Sequence, residues 1–259
     1  MGLGKKVRLN RIFGHSSGRM CSVAVDHFVA YHLGMPEGLA DLPRVIRAVV
    51  AGGPDAITMT RGTALSCWPP YAGRVPLIVQ SMASRPDDSA DEQFSVPEDA
   101  VTIGADAFAI VCYVRGPSEA AHIRRVAKAV RDAERYEMPV IVHTYARRFT
   151  SEGVEISFEP EDTAWAVRCA IEAGVDVVKV PYCGDIASYR QIVASCPIPL
   201  VAAGGPKAGS LEEALAMARD VITSGARGMT IGRNIWGFPD VSRAVTEFKT
   251  AIHGAQPVS

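Results

Sequence analysis

The chain has almost no net charge. Its 27 Lys and Arg face 28 Asp and Glu, a formal balance of −1 over 259 residues. That balance excludes the electrostatic footprint of a nucleic-acid binder or of a protein drawn to an anionic membrane. No stretch approaches the roughly 20 apolar residues needed to span a bilayer. The basic opening "MGLGKKVRLNRIFG" lacks the apolar centre of a secretory signal. The six cysteines, Cys21, Cys67, Cys112, Cys169, Cys183 and Cys196, contain no CxxC pair, which favours free thiols in a reducing compartment. There is no HxH or HExxH pair, and no GxGxxG follows the first apolar run. These absences lead to the expectation of a cytoplasmic protein with no metal and no cofactor, acting on a small molecule.

What is present is a rhythm. Eight short apolar runs follow one another: Cys21–His27, Asp55–Thr60, Pro76–Gln80, Asp106–Tyr113, Pro139–Tyr145, Asp176–Tyr182, Pro199–Gly205 and Gly228–Arg233. They are continuous rather than alternating, the pattern of parallel strands buried on both faces. Between them, Leu42–Val50, Glu119–Tyr136, Glu161–Glu172, Ile186–Ala194, Leu211–Thr223 and Val241–Ile252 carry spaced apolar residues among charges, as amphipathic helices do. Several helices end at a glycine that opens the next strand, as in "EAGVDV" and "SGARGM". The stretches "RGTALSCWPPYAG" and "SMASRPDDSADEQ" read as loops or short helices. Eight β/α units over roughly 230 residues predict a TIM (β/α)8 barrel. The alternative, a doubly wound open sheet, fits the count less well and lacks its glycine fingerprint. No linker-like segment divides the chain, so one domain is expected over 1–259, with the barrel core at about 20–253.

In such a barrel, chemistry gathers where the strands end. The sixth run, "DVVKVPY", holds Lys179 among valines. An amine is costly to bury there. If it points into the barrel, lost hydration favours the neutral amine, the nucleophile that attacks a carbonyl to form a Schiff base. The other reading is a lysine snorkelling between helices or paired to a carboxylate. The seventh and eighth runs end in "AGGPK" and "GRN", where this fold commonly holds phosphate. There Gly204, Gly205 and Gly232 let backbone N–H groups approach an oxyanion, Arg233 and Lys207 add charge, and following helices add dipole ends. Asp26 closes the first run and Tyr145 the fifth; each has the chemistry to move protons, or merely to cap a loop or pack at the rim. His27 and His143 are open between a direct role and a hydrogen-bonded core position. Asp26, His27 and His143 also raise a metal reading, which a neighbouring lysine argues against. Arg147 and Arg148 follow Tyr145, and Trp165 and Trp236 read as packing.

Taken together, "VAVDH", "SVPEDAVTIGADAFAIVCYV", "MPVIVHTYARR", "AGVDVVKVPY", "PLVAAGGPK" and "GARGMTIGRNIWG" resemble the archaeal-type class I fructose-bisphosphate aldolase group of the DeoC/LacD aldolase family. The same group holds aminodideoxyheptulosonate synthase and the thiolase of autoinducer-2 processing. The resemblance spans roughly residues 20 to 240. It implies a metal-independent aldolase acting on a phosphorylated ketose, with Lys179 as the Schiff-base lysine, Tyr145 as proton donor and Asp26 on the first strand. It further implies phosphate binding by Gly204, Gly205, Gly232 and Arg233, and a homo-oligomer, as large as a decamer. Two departures stand out. "TYARR" replaces a Tyr-Pro-Arg-Gly pattern, and "TMTRG" (Thr58–Gly62) replaces a His-Lys-Gly pattern. Both lie on loops facing the substrate, so they bear on which sugar phosphate is taken more than on the Schiff base. Two other functions remain: a coenzyme A-dependent acyltransferase like the thiolase, with Lys179 in acid/base work, and a non-catalytic phosphosugar-binding barrel.

Overall fold

The computed structural model describes residues 1–27 and 34–254. In chain order the strands are β1 (Met20–Ala24), β2 (Ala56–Thr60), β3 (Leu77–Gln80), β4 (Met82–Ser84), β5 (Asp91–Gln93), β6 (Ala107–Val114), β7 (Val140–Thr150), β8 (Gly153–Ile156), β9 (Val177–Val180), β10 (Leu200–Ala203) and β11 (Gly228–Ile231). The helices are α1 (Leu3–Ile12), α2 (Leu42–Ala51), α3 (Arg61–Cys67), α4 (Pro97–Thr102), α5 (Glu119–Glu134), α6 (Pro160–Glu172), α7 (Ile186–Ser195), α8 (Leu211–Thr223), α9 (Arg233–Trp236) and α10 (Val241–Gly254). Strands β1, β2, β3, β6, β7, β9, β10 and β11 pair in parallel in that order, and β11 pairs back with β1. This is the closed eight-stranded TIM barrel that the run count predicts.

Local chemistry explains the boundaries. Asp41, Asp185 and Ser210 cap α2, α7 and α8 by accepting from the backbone N–H of Arg44, Ser188 and Glu213. Gly174 (φ +84°) and Gly225 (φ +94°) close α6 and α8 in the left-handed conformation. The eight barrel strands are buried along nearly their whole length within the barrel because both faces are covered. One face of each meets the helices. The other faces inward, and at the lower end Met20, Ala56, Ile78, Ala107, Ala109, Ile141, Val177 and Val201 form an apolar floor, closed from below by Ile12 of α1.

The region after β2 folds as α3 and a 3-10 turn at Pro69–Tyr71, short helices as the sequence reading allowed. Other segments differ from that reading. The region after β3 forms an antiparallel pair, β4 with β5. The fifth barrel strand continues past Tyr145 to Thr150 and turns back as β8, so that Arg147 faces Ile156 and Phe149 faces Val154. None of the six cysteines is in a disulfide. Among the described residues no helix is long and apolar enough to cross a membrane.

Candidate active site

Val177 belongs to the apolar floor. Side chains alternate along a strand, so Lys179 also faces inward, one layer nearer the mouth. It is 4% exposed and lies in register with His143 on β7 and Val201 on β10. Its side chain helps line a cavity of about 220 Å³. Around that cavity stand Tyr113 and Tyr145 from β6 and β7, His27 after β1, and the Gly204–Gly205 and Gly232–Arg233 turns after β10 and β11. Ile156 and Phe158, at and beyond the end of β8, add an apolar wall.

Charge is organised around the amine. Asp26 is buried beyond the end of β1, with His27 Nδ1 3.5 Å from its Oδ1. Burial pushes the Asp26 carboxyl up, but His27 and the Lys179 ammonium outweigh burial and hold it at about 2. At neutral pH it is a carboxylate. His143 is 1% exposed; burial first, then the positive charge of Lys179, hold its ring well below the usual histidine range, against a smaller opposing pull from Asp26. It is therefore neutral. Its Nδ1 lies 3.1 Å from Gln80 Nε2. Tyr145 sits one layer above His143, facing Tyr113 across β6–β7 with ring centroids 6.0 Å apart.

The two glycine turns are shaped by close approach. A Cβ on Gly204 would come 2.9 Å from the Ile231 backbone, and one on Gly232 2.3 Å from the His27 ring. Asn234 is a brace: its amide donates to the Gly204 and Pro206 carbonyls and its Oδ1 accepts from Ala208 N–H, each at 2.8 Å. Arg233 Nη2 donates to the Gly205 carbonyl at 3.1 Å. Helix dipoles contribute less than the sequence suggests. Helix α9 has only four residues, and the first turn of α8 is already served by Ser210 and by Glu212 and Glu213.

Not every candidate reaches the cavity. The Lys207 amine stands 5.4 Å from the centre of the Phe238 ring, outside the cavity lining. Arg148 is exposed and pairs with Glu155. Arg147 is buried but turned away, donating to the Arg115 and Pro86 carbonyls, Ser118 Oγ and Asp88. Trp236 donates to the Ala24 carbonyl and packs edge-on against His27. Two residues outside the sequence candidates stand at the site: Tyr113 lines the cavity and Gln80 contacts His143, each at or near the end of an apolar run. The strand-end rule reaches both, but a lone amide or phenol there carries no chemical signature by itself.

Asp88, Asp91 and His122 bring ligand-type atoms within 4.8 Å of one another at the rim. Arg147 and Arg125 already pair with the two carboxylates, so the charge is balanced and a cation would have to displace a guanidinium. The cluster reads as a clasp between the β4–β5 hairpin, α5 and Arg147 of β7.

Residues 20–237 match the sequence profile of the DeoC/LacD family aldolase. The chain is 32% identical over 252 residues to the 2-amino-3,7-dideoxy-D-threo-hept-6-ulosonate synthase of Halobacterium salinarum, covering 96% of this chain and 92% of that protein. It is 28% identical to the class 1 fructose-bisphosphate aldolase of Thermoproteus tenax, covering 96% and 95%. An archaeal fructose 1,6-bisphosphate aldolase crystal structure superposes with a TM-score of 0.84 at 27% identity, over 96% of this chain and 99% of that one. A further archaeal aldolase structure, with its catalytic lysine bound to the carbinolamine intermediate of the substrate, gives a TM-score of 0.84 at 26% identity over 96% and 100%. A buried lysine on the sixth barrel strand, beside a carboxylate and below two glycine-rich turns, thus stands on a scaffold shared with Schiff-base enzymes, and the chain belongs to the DeoC/LacD aldolase family as a lyase of the Schiff-base class.

Proposed function

We propose that Lys179 is the Schiff-base lysine and that the enzyme breaks or makes a C–C bond in a phosphorylated ketose. The observation that carries this reading is the buried amine at the base of a cavity whose rim holds both Tyr145 and the two glycine turns. Lys179 Nζ attacks the ketone carbon, and the oxygen takes a proton to give a carbinolamine. Loss of water leaves an iminium. As a proton leaves the C4 hydroxyl, the C3–C4 electrons flow toward the iminium nitrogen; an aldehyde departs and an enamine stays on the lysine. Protonation at carbon and hydrolysis release the second product.

Asp26 is ionised at neutral pH, so it accepts protons and steadies the lysine's positive charge rather than donating. That leaves Tyr145 as the donor suited to the departing water and the enamine. His27 sits between Asp26 and the Gly232 turn, within reach of either. Gly204, Gly205, Gly232 and Arg233 would hold the phosphate. Lys207 would join only by swinging off Phe238.

The 32% identity to the Halobacterium synthase supports a second reading. In it the lysine-bound fragment passes to a different carbonyl acceptor, building an aminodideoxyheptulosonate. Borohydride trapping tests the shared step. With dihydroxyacetone phosphate or fructose 1,6-bisphosphate, reduction should fix a mass increment on Lys179. No adduct there with either compound, or full activity in Lys179→Arg, refutes the covalent role. A panel of acceptor aldehydes then separates the two readings.

A further inference from the structure

Gln80 ends β3 and is fully buried. Its Oε1 accepts the backbone N–H of Ser81 at 2.9 Å and of Met82 at 3.1 Å. Two backbone donors identify that atom as the amide oxygen, because an NH₂ group cannot accept from them. The other amide atom is therefore the nitrogen, a pure donor, and it faces His143 Nδ1 at 3.1 Å. A donor opposite Nδ1 requires Nδ1 to carry a lone pair. In a neutral ring the proton then sits on Nε2. A doubly protonated ring would set N–H against N–H, so the same contact also resists protonation.

The contact crosses β6, which lies between β3 and β7: Gln80 is in register with Ala109, whose side chain is a single methyl group, and His143 with Val111, one inward position further along. With Nδ1 turned toward β3, the tip of the ring carries Nε2–H into the interior. There the charges of Lys179 and Asp26 both act on it, and Lys179 is the in-register neighbour.

We propose that Gln80 locks His143 as the neutral Nε2–H tautomer, and that His143 thereby donates a standing hydrogen bond to the oxygen on the carbon attacked by Lys179; the second half rests on the reading of Lys179 given above. As the Nζ–C bond forms, the carbonyl π pair moves onto that oxygen. A fixed donor stabilises the developing charge without giving up its proton. The proton that completes the carbinolamine, and the one lost with water, come from elsewhere. Gln80 is then a positioning residue and His143 the group that touches the reacting atoms.

The experiment has two readouts. Long-range ¹⁵N NMR of the whole enzyme, with the His143 signal identified by its loss in His143→Phe, reports the tautomer without any substrate. The expected result is protonated Nε2 and bare Nδ1, unchanged across the acidic to neutral range. A wild-type spectrum with Nδ1–H overturns the lock, whether or not any variant folds. The second readout is the rate of borohydride-trappable imine on Lys179 with dihydroxyacetone phosphate. Gln80→Glu keeps an acceptor for the Ser81 and Met82 N–H groups but places an acceptor opposite Nδ1. Where the proton shifts to Nδ1, Nε2 loses its N–H and imine formation should slow about a hundredfold; where the ring instead becomes doubly protonated, Nε2–H is kept and the rate should not fall. A shifted tautomer with an unchanged imine rate overturns the donor role. If the wild type forms no imine on Lys179 at all, the Lys179 assignment fails and takes the donor role with it, while the NMR result judges the lock on its own.

Discussion

Replacing Arg147 by Met should cost stability through carbonyls, not through substrate. The guanidinium is buried, with its side chain fully covered. Its Nε and Nη2 donate to the Arg115 carbonyl at 3.0 and 2.7 Å, Nη2 to Ser118 Oγ at 2.8 Å, and Nη1 to the Pro86 carbonyl at 3.1 Å and Asp88 Oδ2 at 2.9 Å. Methionine fills much of the volume and offers no donor. The two carbonyls and the Ser118 hydroxyl, which keeps its own bond to Asp88, each lose the donor Arg147 supplied, at roughly 1 kcal/mol apiece, or ~3 kcal/mol together. The Asp88 side chain is 33% exposed and keeps Ser118 and His122 as partners, so its lost ion pair adds at most ~1 kcal/mol. A total near 4 kcal/mol corresponds to a melting point lower by roughly 8–16 °C for a chain of this size. Arg147→Lys keeps the charge but not the fork, and should recover about half of the loss. Thermal melts at fixed pH, read beside kcat/KM, test this. Because Pro86 lines the cavity, kcat/KM should also fall. If Arg147→Met melts within about 2 °C of the wild type, or if Lys restores it completely, the argument from forked donation to carbonyls is wrong.

Other consequences follow from the same structure. Folding holds the Asp26 carboxyl at about 2 against an ordinary 3.8. The ionised form is thus favoured in the native state, and the stability it contributes is full above pH 4 and lost as pH falls toward 2. Urea unfolding should show wild type above Asp26→Asn by ~2 kcal/mol at pH 5, with the gap shrinking by pH 3; a gap that does not change with pH contradicts the assignment. Gly232→Ala drives a Cβ to within 2.3 Å of the His27 ring and should cost roughly 1–3 kcal/mol by overpacking, raising KM for a phosphorylated substrate more than for its dephosphorylated form; equal effects on both would speak against a phosphate turn. Ile12→Ala opens a cavity beneath the apolar floor and should destabilise by about 2–5 kcal/mol, visible in chemical denaturation with kcat nearly intact.

Much of the fold can be read from sequence because parallel barrel strands are buried on both faces. "PVIVHTY" and "DVVKVPY" announce themselves as apolar runs whatever surrounds them. Helix α8 was legible to its ends, since Ser210 and Gly225 supply both stop signals locally. The segments that escaped such reading depend on backbone pairing. In β7 the hydrophobic signal ends at Tyr145, yet the strand continues through Arg147, Arg148, Phe149 and Thr150 because β8 supplies hydrogen-bond partners. Helix α1 has one fully buried residue, Ile12, too thin a stripe to mark it as a plug. At the site, Lys179 and the glycine turns were legible from residue type and strand position. Gln80 was not, because what sets it apart is a contact across β6 with a residue 63 positions away. Arg147, just past the end of the fifth apolar run, is occupied by the Arg115 and Pro86 carbonyls, Ser118 Oγ and Asp88. Such commitments are set by three-dimensional neighbours that composition does not reveal.

Helix α1 has one more bearing on turnover. With Ile12 seated in the apolar floor, the barrel is stoppered at its lower end. On the proposed chemistry, the water expelled when the imine forms must leave by the mouth that admits the sugar, and the water that later hydrolyses the adduct must return the same way. Among the described residues, traffic in both directions is confined to the upper doorway, and the bound substrate stands in it. The order of departures is then a matter of plumbing as well as bond-making: the first product vacates the doorway before hydrolytic water can come in, so the enamine is kept dry for as long as the aldehyde stays.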